Sequence, residues 1–493
     1  MPNASFRRAL ALALAAALAA VPAACRDEPE GIVKVVVVGE SPRMRDPALG
    51  PLSPPDAVLL ASVAQGLVRF DASGNIVAGL AERWNVSDDG LSYIFRLASV
   101  TWPGGHKVTA QQAARALKRS LSAASTNPLK DTLGAVDDIV AMTDRVIEIR
   151  LKAPRPNLLA LLAQPEFAIV RNGQGTGPFQ ISAKPTGNAM LRLTRDIAAP
   201  DGDASRREDV LLSGSRAQDA LRQFTGGDAD LVLGGGFADL PLAQRARLPR
   251  GTLRFDPASG LFGLMPARRG GILDDRDVRR LLSQAIDRAA LVDAFRVPGL
   301  APRATVLEPG LEGVPDPAAP PWMATPIAER RIALAAEAGR LFRSEKPTIR
   351  VFLPDGPGGD ILFNRLVTDW GAIGLTAERT RSAATADLTL VDAVAPSTSP
   401  AWFLRRFRCQ FAAVCDEEAD KLLDAARDTL VAAQRGALLA QAAARIDEDQ
   451  LFLPLTAPLR WSLVSARIKG FVGNRYARHT LTDLEQNPGS GGS

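Results

Sequence analysis

The sequence predicts an α/β fold, because segments with strand periodicity alternate with segments with helix periodicity in both halves of the chain. Residues 32–38 are a run of mostly apolar, β-branched residues, which is typical of a buried strand. Thr109 precedes the helical segment 110–121 and is a suitable N-cap. Residues 146–151 (VIEIRL) alternate as a strand does when one face is buried.

The same alternation continues along the rest of the chain. In chain order, the sequence predicts a helix from Leu59 to Val68, a strand that carries Tyr93, Phe95 and Leu97, a helix from Ala217 to Phe224, a helix from Leu273 to Phe295 capped by Asp274 or Asp275, a helix from Ile327 to Phe342, a strand from Thr348 to Leu353, a helix from Leu362 to Ile373 that ends at Gly374, helices from Glu417 to Leu430 and from Gln434 to Ile446, and strands from Leu451 to Leu455 and from Trp461 to Val464.

Composition is that of an ordinary globular protein. Apolar residues make up 46% of the sequence and charged residues 23%, so a large core can form. The net charge of +5 comes from well-mixed acidic and basic residues without a long basic run, which gives no support to nucleic-acid binding. Beyond the N-terminal leader no apolar stretch reaches 18 residues, so we expect no membrane-spanning helix there.

Residues 1–24 are predicted to be a secretory signal peptide. Two arginines give a positive start, and the apolar run over residues 9–21 is too short to span a bilayer as a helix. The small residues before Cys25 resemble a bacterial lipoprotein processing site, which would leave a lipidated Cys25 at the head of a tether over residues 25–31. The alternative is ordinary signal cleavage with a free thiol, because Pro22 stands where such sites usually have a branched apolar residue.

Two further cysteines, Cys409 and Cys415, lie six positions apart, just ahead of a helical segment. In the oxidising compartment that a secretory signal implies, such a local pair favours a disulfide, with two free thiols as the alternative. A metal site is disfavoured, because no histidine lies nearby in the sequence.

The sequence offers no active site for an enzyme. Its two histidines, His106 and His479, have no metal-ligand spacing and are expected at the surface. No nucleophile elbow, phosphate loop or dinucleotide fingerprint occurs. Adjacent carboxylates such as Asp88 and Asp89 are typical of turns and caps. We therefore expect no catalytic residue, no metal and no cofactor.

Residues 66–119 carry a long series of anchor residues in a fixed order. They are Gly66-Leu67-Val68, Leu80-Ala81-Glu82-Arg83-Trp84, Asp89-Gly90-Leu91-Ser92-Tyr93, Phe95-Arg96-Leu97, Trp102, Gly105, Val108-Thr109-Ala110 and Arg119. This series resembles the signature region of the family 5 solute-binding proteins of ABC importers, the oligopeptide- and dipeptide-binding type. The turn at 173–179 and the segment 273–295 are similar to that family as well.

The resemblance implies a two-lobed periplasmic-binding-protein fold (type II, cluster C) with an extra subdomain inserted in lobe I. The implied boundaries are lobe I over residues 32–50, 166–260 and 456–484, the inserted subdomain over 51–165, lobe II over 261–455 and a flexible tail over 485–493. The two lobes would close on a ligand by a hinge motion.

The same resemblance implies the function. The chain is expected to be a membrane-anchored periplasmic lipoprotein that captures a peptide or peptide-like solute and delivers it to an ABC permease in the inner membrane. It is expected to act as a monomer, without catalysis. Two alternatives stay open. The fold would bind a non-peptide solute such as an opine, another carboxylate or a glycoside, or the chain would be a ligand sensor or partner protein without a role in transmembrane transport.

One implied ligand contact departs from the family pattern. Peptide-binding relatives pair the α-ammonium of the peptide with the Asp of a Trp-x-x-Asp motif. Counting back without a gap from residues 400–404, that Asp position is Pro396 here, and the nearest carboxylate is Asp392. Either a shifted loop lets Asp392 bind the amine, or the solute has no α-ammonium. A purely structural role for Asp392 at the end of a strand is a further alternative.

A second departure concerns Arg115, which stands where some peptide binders have an aromatic residue that faces the cleft. Arg115 is therefore a candidate anchor for a carboxylate, because Arg binds carboxylates through two donors, and a solvated helix face is the alternative. Aromatic residues make up 5% of the chain, which disfavours sugar recognition by stacking. Trp402, Phe262 and Phe179 are the aromatic candidates to line the pocket.

Overall fold

The computed structural model describes residues 31–183, 190–198, 205–343 and 346–486. The predicted signal peptide, Cys25 and nearly all of the tether lie outside the described residues, as does the tail after residue 486. Within the described ranges, no helix has both the length and the apolar character needed to cross a bilayer.

Twenty strands make up the sheets of the described ranges. In chain order they are β1 (Ile32–Val38), β2 (Val68–Phe70), β3 (Ile76–Ala78), β4 (Ala81–Val86), β5 (Ser92–Leu97), β6 (Val136–Thr143), β7 (Val146–Leu151), β8 (Gln180–Ile181), β9 (Leu191–Ala198), β10 (Ser205–Ser215), β11 (Leu231–Gly236), β12 (Leu253–Phe255), β13 (Gly260–Pro266), β14 (Thr348–Phe352), β15 (Thr376–Thr380), β16 (Leu388–Val394), β17 (Leu453–Thr456), β18 (Arg460–Val464), β19 (Ile468–Lys469) and β20 (Glu485–Gln486).

The α-helices of the same ranges alternate with these strands. They are α1 (Pro54–Val63), α2 (Ala110–Leu121), α3 (Leu158–Leu162), α4 (Ala217–Thr225), α5 (Leu240–Arg245), α6 (Arg276–Ala285), α7 (Arg288–Phe295), α8 (Ile327–Leu341), α9 (Pro357–Gly371), α10 (Pro400–Arg405), α11 (Glu417–Asp428) and α12 (Ala432–Glu448).

A seven-stranded sheet forms the first large unit, with the order β12-β18-β11-β1-β10-β9-β8. The central strand β1 runs parallel to β11, and Val36 lies opposite Val232. Val35 and Val37 are buried on one face of β1, and Val36 is buried on the other. Because both faces are covered, β1 needs a nearly continuous apolar sequence rather than an alternating one.

A five-stranded mixed sheet forms the second large unit, with the order β15-β14-β16-β13-β17. Its centre is β13, which pairs antiparallel with β16 on one side and with β17 on the other. The parallel pairing of β14 with β15 and with β16 requires crossover connections, which α9 and neighbouring segments provide.

A four-stranded antiparallel sheet, in the order β4-β5-β7-β6, has a core of its own. Tyr93, Phe95 and Leu97 are buried on one face of β5, whereas Ile94 on the other face is exposed. This is the alternation that predicts a half-buried strand. Helix α2 packs against β6 and β7 and covers the apolar face.

The chain connects the two large sheets through short segments. It leaves the seven-stranded sheet between β12 and β13, through residues 256–259, and returns between β17 and β18, through residues 457–459. One buried core continues across this junction, because it contains Val232 and Trp461 from the first sheet together with Phe262 from the second. Short connections between two packed units are typical hinge positions.

The α/β class is confirmed, and several local predictions are confirmed with their boundaries. Helix α2 covers Ala110–Leu121, and Thr109 forms a capping box with Gln112 at its start. Strands β1 and β7 have the bounds expected from their apolar patterns. The capping of the helical segment near 275 is also confirmed, since the side chain of Asp275 accepts a hydrogen bond from the backbone N–H of Asp277.

The single helix predicted from Leu273 to Phe295 is wrong, because the chain breaks at Ile286 between α6 and α7. In a continuous helix the N–H of Asp287 would bond to the carbonyl of Ser283. Instead, that N–H donates to the Asp369 carboxylate (2.9 Å), and the Ser283 carbonyl accepts from the Arg288 guanidinium (2.7 Å). The break therefore depends on contacts that are distant in sequence.

The helix predicted from Leu59 to Val68 is displaced in the structure, where α1 begins at Pro54 and ends at Val63. Ser53 caps this helix, and prolines occupy its first two positions. Proline is tolerated there because the backbone N–H groups of the first turn have no partner within the helix. Pro54 and Pro55 thus mark the start of this helix, five residues before the predicted one.

Glycine at position 436 allows α12 to pack closely, and its replacement provides a stability test. A Cβ atom on Gly436 would lie 1.8 Å from the Gly313 carbonyl oxygen, so Gly436→Ala forces the backbone apart and should lower the free energy of unfolding by about 2 kcal/mol. Gly339→Ala in α8 is the matched control, because nothing lies within 4 Å of its added carbon. The control should raise stability by about 0.5–1 kcal/mol. Urea unfolding measures both, and equal effects would contradict the packing account.

Candidate functional site

A cavity of about 300 Å³ lies between two sets of residues. The first set comes from 131–135 and 154–161, which flank strands β6 and β7 of the four-stranded sheet, and the second comes from 312–439, which flank the five-stranded sheet. Its volume is at the lower end of the range for small-molecule sites. The arginines Arg155, Arg405, Arg408, Arg427 and Arg435 contribute to its lining. The carboxylates in the lining are Asp131 and Glu312. We call this space the arginine cavity.

Arg155 reaches the cavity from the loop that follows β7, where Pro154 and Pro156 flank it and restrict the backbone. The Tyr93 hydroxyl donates to the Arg155 carbonyl (2.9 Å), which ties this loop to the four-stranded sheet. The Arg155 Nη2 group donates to the Arg427 carbonyl oxygen at the end of α11 (3.2 Å). This hydrogen bond joins the two sides of the cavity.

Arg405 and Arg435 come from the opposite side. Arg405 is the last residue of α10, and Arg435 lies in the first turn of α12. The α12 N-cap residue, Val431, has no side-chain group that could accept from the free N–H groups of the first turn. The positive end of the helix dipole and the arginine charge therefore add at this position.

Positive charge is disfavoured where these arginines stand. Burial, followed by the neighbouring charges of Arg435 and Arg427, lowers the pKa of Arg155 to about 10. Burial also lowers the pKa of Arg405 and of Arg435, although Asp131 and Glu312 respectively oppose the shift. Arg155 remains a cation at neutral pH, so the cavity has a positive potential that an anionic group would relieve.

Trp402 is the predicted aromatic residue that the structure places in the lining of the arginine cavity. It lies on α10, is partly buried and packs edge-on against Phe403, with ring centroids 5.1 Å apart. Pro400 at the first position of α10 fixes where this short helix starts. Trp402 therefore offers an apolar wall beside the arginines.

The other two predicted aromatic residues lie elsewhere. Phe179 is 1% exposed, in the core beneath the seven-stranded sheet, and the Arg195 guanidinium lies over its ring. Phe262 is 1% exposed and makes edge-to-face contacts with Phe237 and Phe295. In this structure both are core residues. Their predicted role in ligand contact stays a prediction, and it would require the surrounding residues to move so that the rings become accessible.

Arg115 is exposed on α2 and does not contribute to the described lining of the arginine cavity. Arg115 and Trp402 therefore do not share the lining of this cavity. Its role as a carboxylate anchor remains a prediction, and the alternative of a solvated helix face agrees with its position.

Asp392 lies on β16, where its carboxylate forms an ion pair with Arg460 at the start of β18. The Arg460 Nη1 group donates to both carboxylate oxygens, at 2.8 and 3.0 Å. Burial raises the pKa of Asp392, and the Arg460 charge opposes that shift. Because β16 and β18 belong to different large sheets, this pair connects the two units next to the crossing segment 457–459.

Pro396, at the position of the missing amine anchor, has a contact within the chain itself. Its carbonyl accepts a hydrogen bond from the Gln164 side chain (2.8 Å). The side-chain oxygen Oε1 of Gln164 in turn accepts from Arg478, which also pairs with Glu166. This polar chain forms a second bridge between the parts of the molecule that carry the two large sheets.

Cys409 and Cys415 are joined by a disulfide in the structure, with a Cα–Cα distance of 5.1 Å. The loop that they close lies between α10 and α11, the two helices that carry Trp402 and Arg427. Because a disulfide that closes a short loop restricts the unfolded chain, it stabilises the folded state by about 2–3 kcal/mol.

The expectation that both histidines lie at the surface is confirmed for His106 and wrong for His479. The His479 side chain is 8% exposed, lies 3.2 Å from the Asp256 carboxylate and packs on Phe471. Asp256 belongs to the crossing segment 256–259, so His479 contacts this connection between the two large sheets. Among the described residues, no cluster of three potential metal ligands occurs.

Sequence reasoning missed the arginines of the cavity. Residues 153–156 (APRP) indicate a break after a strand, and Arg405 and Arg435 belong to helices with many other charged residues. No local pattern distinguishes a cavity arginine from a solvated one, because the difference arises when distant segments meet. The Pro-Arg-Pro arrangement is the one available signal, since rigid flanking residues favour an oriented side chain.

Comparison with known proteins identifies relatives across most of the chain. A family model described as bacterial extracellular solute-binding proteins, family 5 Middle, matches residues 75–406. The oligopeptide-binding protein OppA of Bacillus subtilis is 23% identical over 291 residues, which is 51% of this chain and 52% of that protein. The match to OppA therefore spans about half of its length. A probable di/tripeptide-binding protein 5 of Pseudomonas aeruginosa is 24% identical over 84% of this chain and 88% of that protein.

Solved structures agree in fold over nearly the whole chain. The structure of Haemophilus influenzae OppA in complex with the peptide RPPGFSPFR superposes with a TM-score of 0.76 at 18% identity, covering 92% of this chain and 98% of that one. This likeness confirms the two-lobed periplasmic-binding-protein architecture. Because the family model covers well over half of the sequence, the chain belongs to the family 5 bacterial extracellular solute-binding proteins.

Proposed function

We propose that this chain is the solute receptor of an ABC importer, which captures a peptide or peptide-like solute and delivers it to the permease in the inner membrane. The observation that carries the proposal is the arginine cavity, which separate parts of a family 5 fold enclose on two sides. A solute in such a cavity is desolvated and contacts both sides, as a receptor that recognises its ligand by closure requires. We expect the chain to have no catalytic activity.

The crossing segments 256–259 and 457–459 provide the hinge for this closure. The Asp392–Arg460 ion pair and the hydrogen bond from Gln164 to Pro396 stabilise the arrangement seen here. A solute that contacts both sides adds interactions that an opened form lacks, so binding shifts the population toward closure. The permease would then distinguish loaded from empty receptor by shape.

A peptide-like solute is supported by the relatives, which are named for oligopeptides and for di/tripeptides. The amine end of such a solute needs a carboxylate, and Asp392 already pairs with Arg460. Asp131 and Glu312, which line the arginine cavity, are the better placed carboxylates. A non-peptide carboxylate is the second candidate, favoured by the proline at position 396 and by the excess of arginines in the lining.

We also propose the domain assignment implied by the family. The strands of the seven-stranded sheet come from residues 32–50, 166–260 and 456–484, those of the five-stranded sheet from 260–456 and those of the four-stranded sheet from 81–151. This distribution of the strands among the three sheets supports two lobes with an inserted subdomain over residues 51–165. A monomer anchored by a lipid on Cys25, facing the periplasm, completes the proposal.

Native mass spectrometry of the mature protein, purified without unfolding, tests the receptor role. We expect a bound mass that is released on collisional activation, and fragmentation then identifies a peptide or a non-peptide solute. Trp402→Ala should weaken retention of that mass at least tenfold, because it removes the apolar wall of the cavity. Trp84→Ala, on β4 and outside the cavity lining, is the matched control. If both variants lose the bound solute equally, the assignment of the solute to the arginine cavity is contradicted.

The role of Asp392 can be separated from that of an amine anchor. If it serves mainly to pair with Arg460, then Asp392→Asn and Arg460→Gln should each lower the free energy of unfolding by about 2 kcal/mol, between the values for exposed and buried ion pairs. The double variant should lose much less than the sum. If solute binding weakens in Asp392→Asn but not in Arg460→Gln, Asp392 is the amine anchor and the pairing account fails.

The lipid anchor gives a separate prediction. Cys25→Ser should move the mature protein from the membrane to the soluble periplasmic fraction, with an intact mass that lacks the lipid, because an acyl chain holds the protein at the membrane surface. Cys409→Ser is the control, since it removes the internal disulfide and leaves the fractionation unchanged. A Cys25→Ser protein that stays with the membrane would exclude lipid as the anchor.

A further inference from the structure

We propose that the arginine cavity receives a carboxylate group of the solute, so that the receptor selects acidic solutes and closes around the anion. This inference rests on the proposed function and adds to it the chemical class of the ligand. It concerns Arg155, Arg405 and Arg435, which reach the cavity from both of its sides.

These three arginines differ from the others in the cavity by lacking an ion pair. Among the described residues, no carboxylate oxygen lies within 4 Å of their guanidinium nitrogens. By contrast, Arg408 pairs with Asp424 (2.6 Å), and Arg427 pairs with Asp424 (3.1 Å) and with Asp428 (3.2 Å). The chain therefore supplies internal partners for the cavity arginines near α11 and leaves the other three without one.

Arg155 donates to the carbonyl oxygens of Pro154 (2.9 Å) and Arg427 (3.2 Å), which are neutral acceptors. The hydrogen bonds of the other two arginines are long, from Arg405 to the Pro128 carbonyl at 3.5 Å and from Arg435 to the Thr429 carbonyl at 3.4 Å. The Arg405 Nη1 group is buried without a hydrogen-bond partner in the described structure. A buried charged donor without a partner destabilises the structure, so an external acceptor at this position would be strongly favoured.

Like charges from opposite sides of the cavity also meet here. Arg155 faces Arg427 and Arg435, and burial together with these two charges holds its pKa well below the usual value. The uncapped first turn of α12 adds further positive potential beside Arg435. Without an anion, this repulsion opposes closure, whereas an anion between the two sides converts it into attraction.

The carboxylates in the lining do not neutralise this charge. Glu312 and Asp131 are both exposed, and they lie beyond ion-pairing distance of the three arginines. A zwitterionic solute would satisfy both sets of groups, with its acid toward the arginines and its amine toward Glu312. Arginine presents paired donors that match the two oxygens of a carboxylate, which favours a carboxylate over a simple halide ion.

The test compares isosteric acid and amide probes on the mature, solute-free protein. N-acetylalanine, N-acetylalanylalanine and succinate form the acidic set, the corresponding amides N-acetylalaninamide, N-acetylalanylalaninamide and succinamide form the neutral set, and inorganic phosphate is a separate arm. Calorimetry should show at least tenfold tighter binding of acidic probes than of their amides. Higher ionic strength should reduce this preference, because salt screens the charges.

Arg155→Gln and Arg435→Gln should each abolish the preference for the acid, while Arg340→Gln, an exposed arginine on α8, should keep it. The two cavity variants should also unfold at a temperature equal to or above that of the wild type without solute, because each removes one repelling charge. They should lose the rise in unfolding temperature that the acidic probes produce. Two variants on opposite sides of the cavity keep the test valid if one fails to fold.

Each other outcome has a definite meaning. Equal binding of the two sets, or tighter binding of the neutral set, would overturn the inference and leave the receptor function intact. Tighter binding of phosphate than of every carboxylate would overturn the assignment to carboxylates. No binding of any probe by folded protein would count against both the inference and the proposed function.

Discussion

The junction between the two large sheets is the constraint on which the rest of the structure depends. The chain crosses it through residues 256–259 and 457–459, so two short segments connect the two units. Gly260, at the start of β13, has a φ of +150°, and a Cβ atom there would lie 2.1 Å from the Ala393 carbonyl oxygen. The close approach of β13 and β16 at the hinge therefore requires glycine.

Two kinds of interaction stabilise this junction. The aromatic rings of Phe237, Phe262 and Phe295 pack edge-to-face in a core shared by both sheets. Beside them, the Asp392–Arg460 pair connects β16 to β18. The apolar contacts are non-directional and tolerate small rotations, whereas the ion pair is formed in one arrangement. Together they fix the arrangement of the two sheets seen here, and the arginine cavity lies where separate segments of the chain meet in that arrangement.

The sequence predicts most of the local structure, because caps and periodicity are local properties. Thr109 and its capping box define α2, and the alternation of Tyr93, Phe95 and Leu97 defines β5. It could not predict the break at Ile286, since the acceptor that replaces the helical bond is on Asp369, in a different helix. The arginine cavity could not be predicted either, because Arg155 and Arg435 are far apart in the sequence and come together only in the tertiary fold.

A crystal structure of the mature protein, purified from the periplasm without unfolding, would show where the solute binds. We predict solute density in the arginine cavity, in contact with Trp402 and with an acidic group within hydrogen-bonding distance of Arg155 or Arg435. Solute density elsewhere between the lobes, with the three arginines directed to solvent, would contradict it.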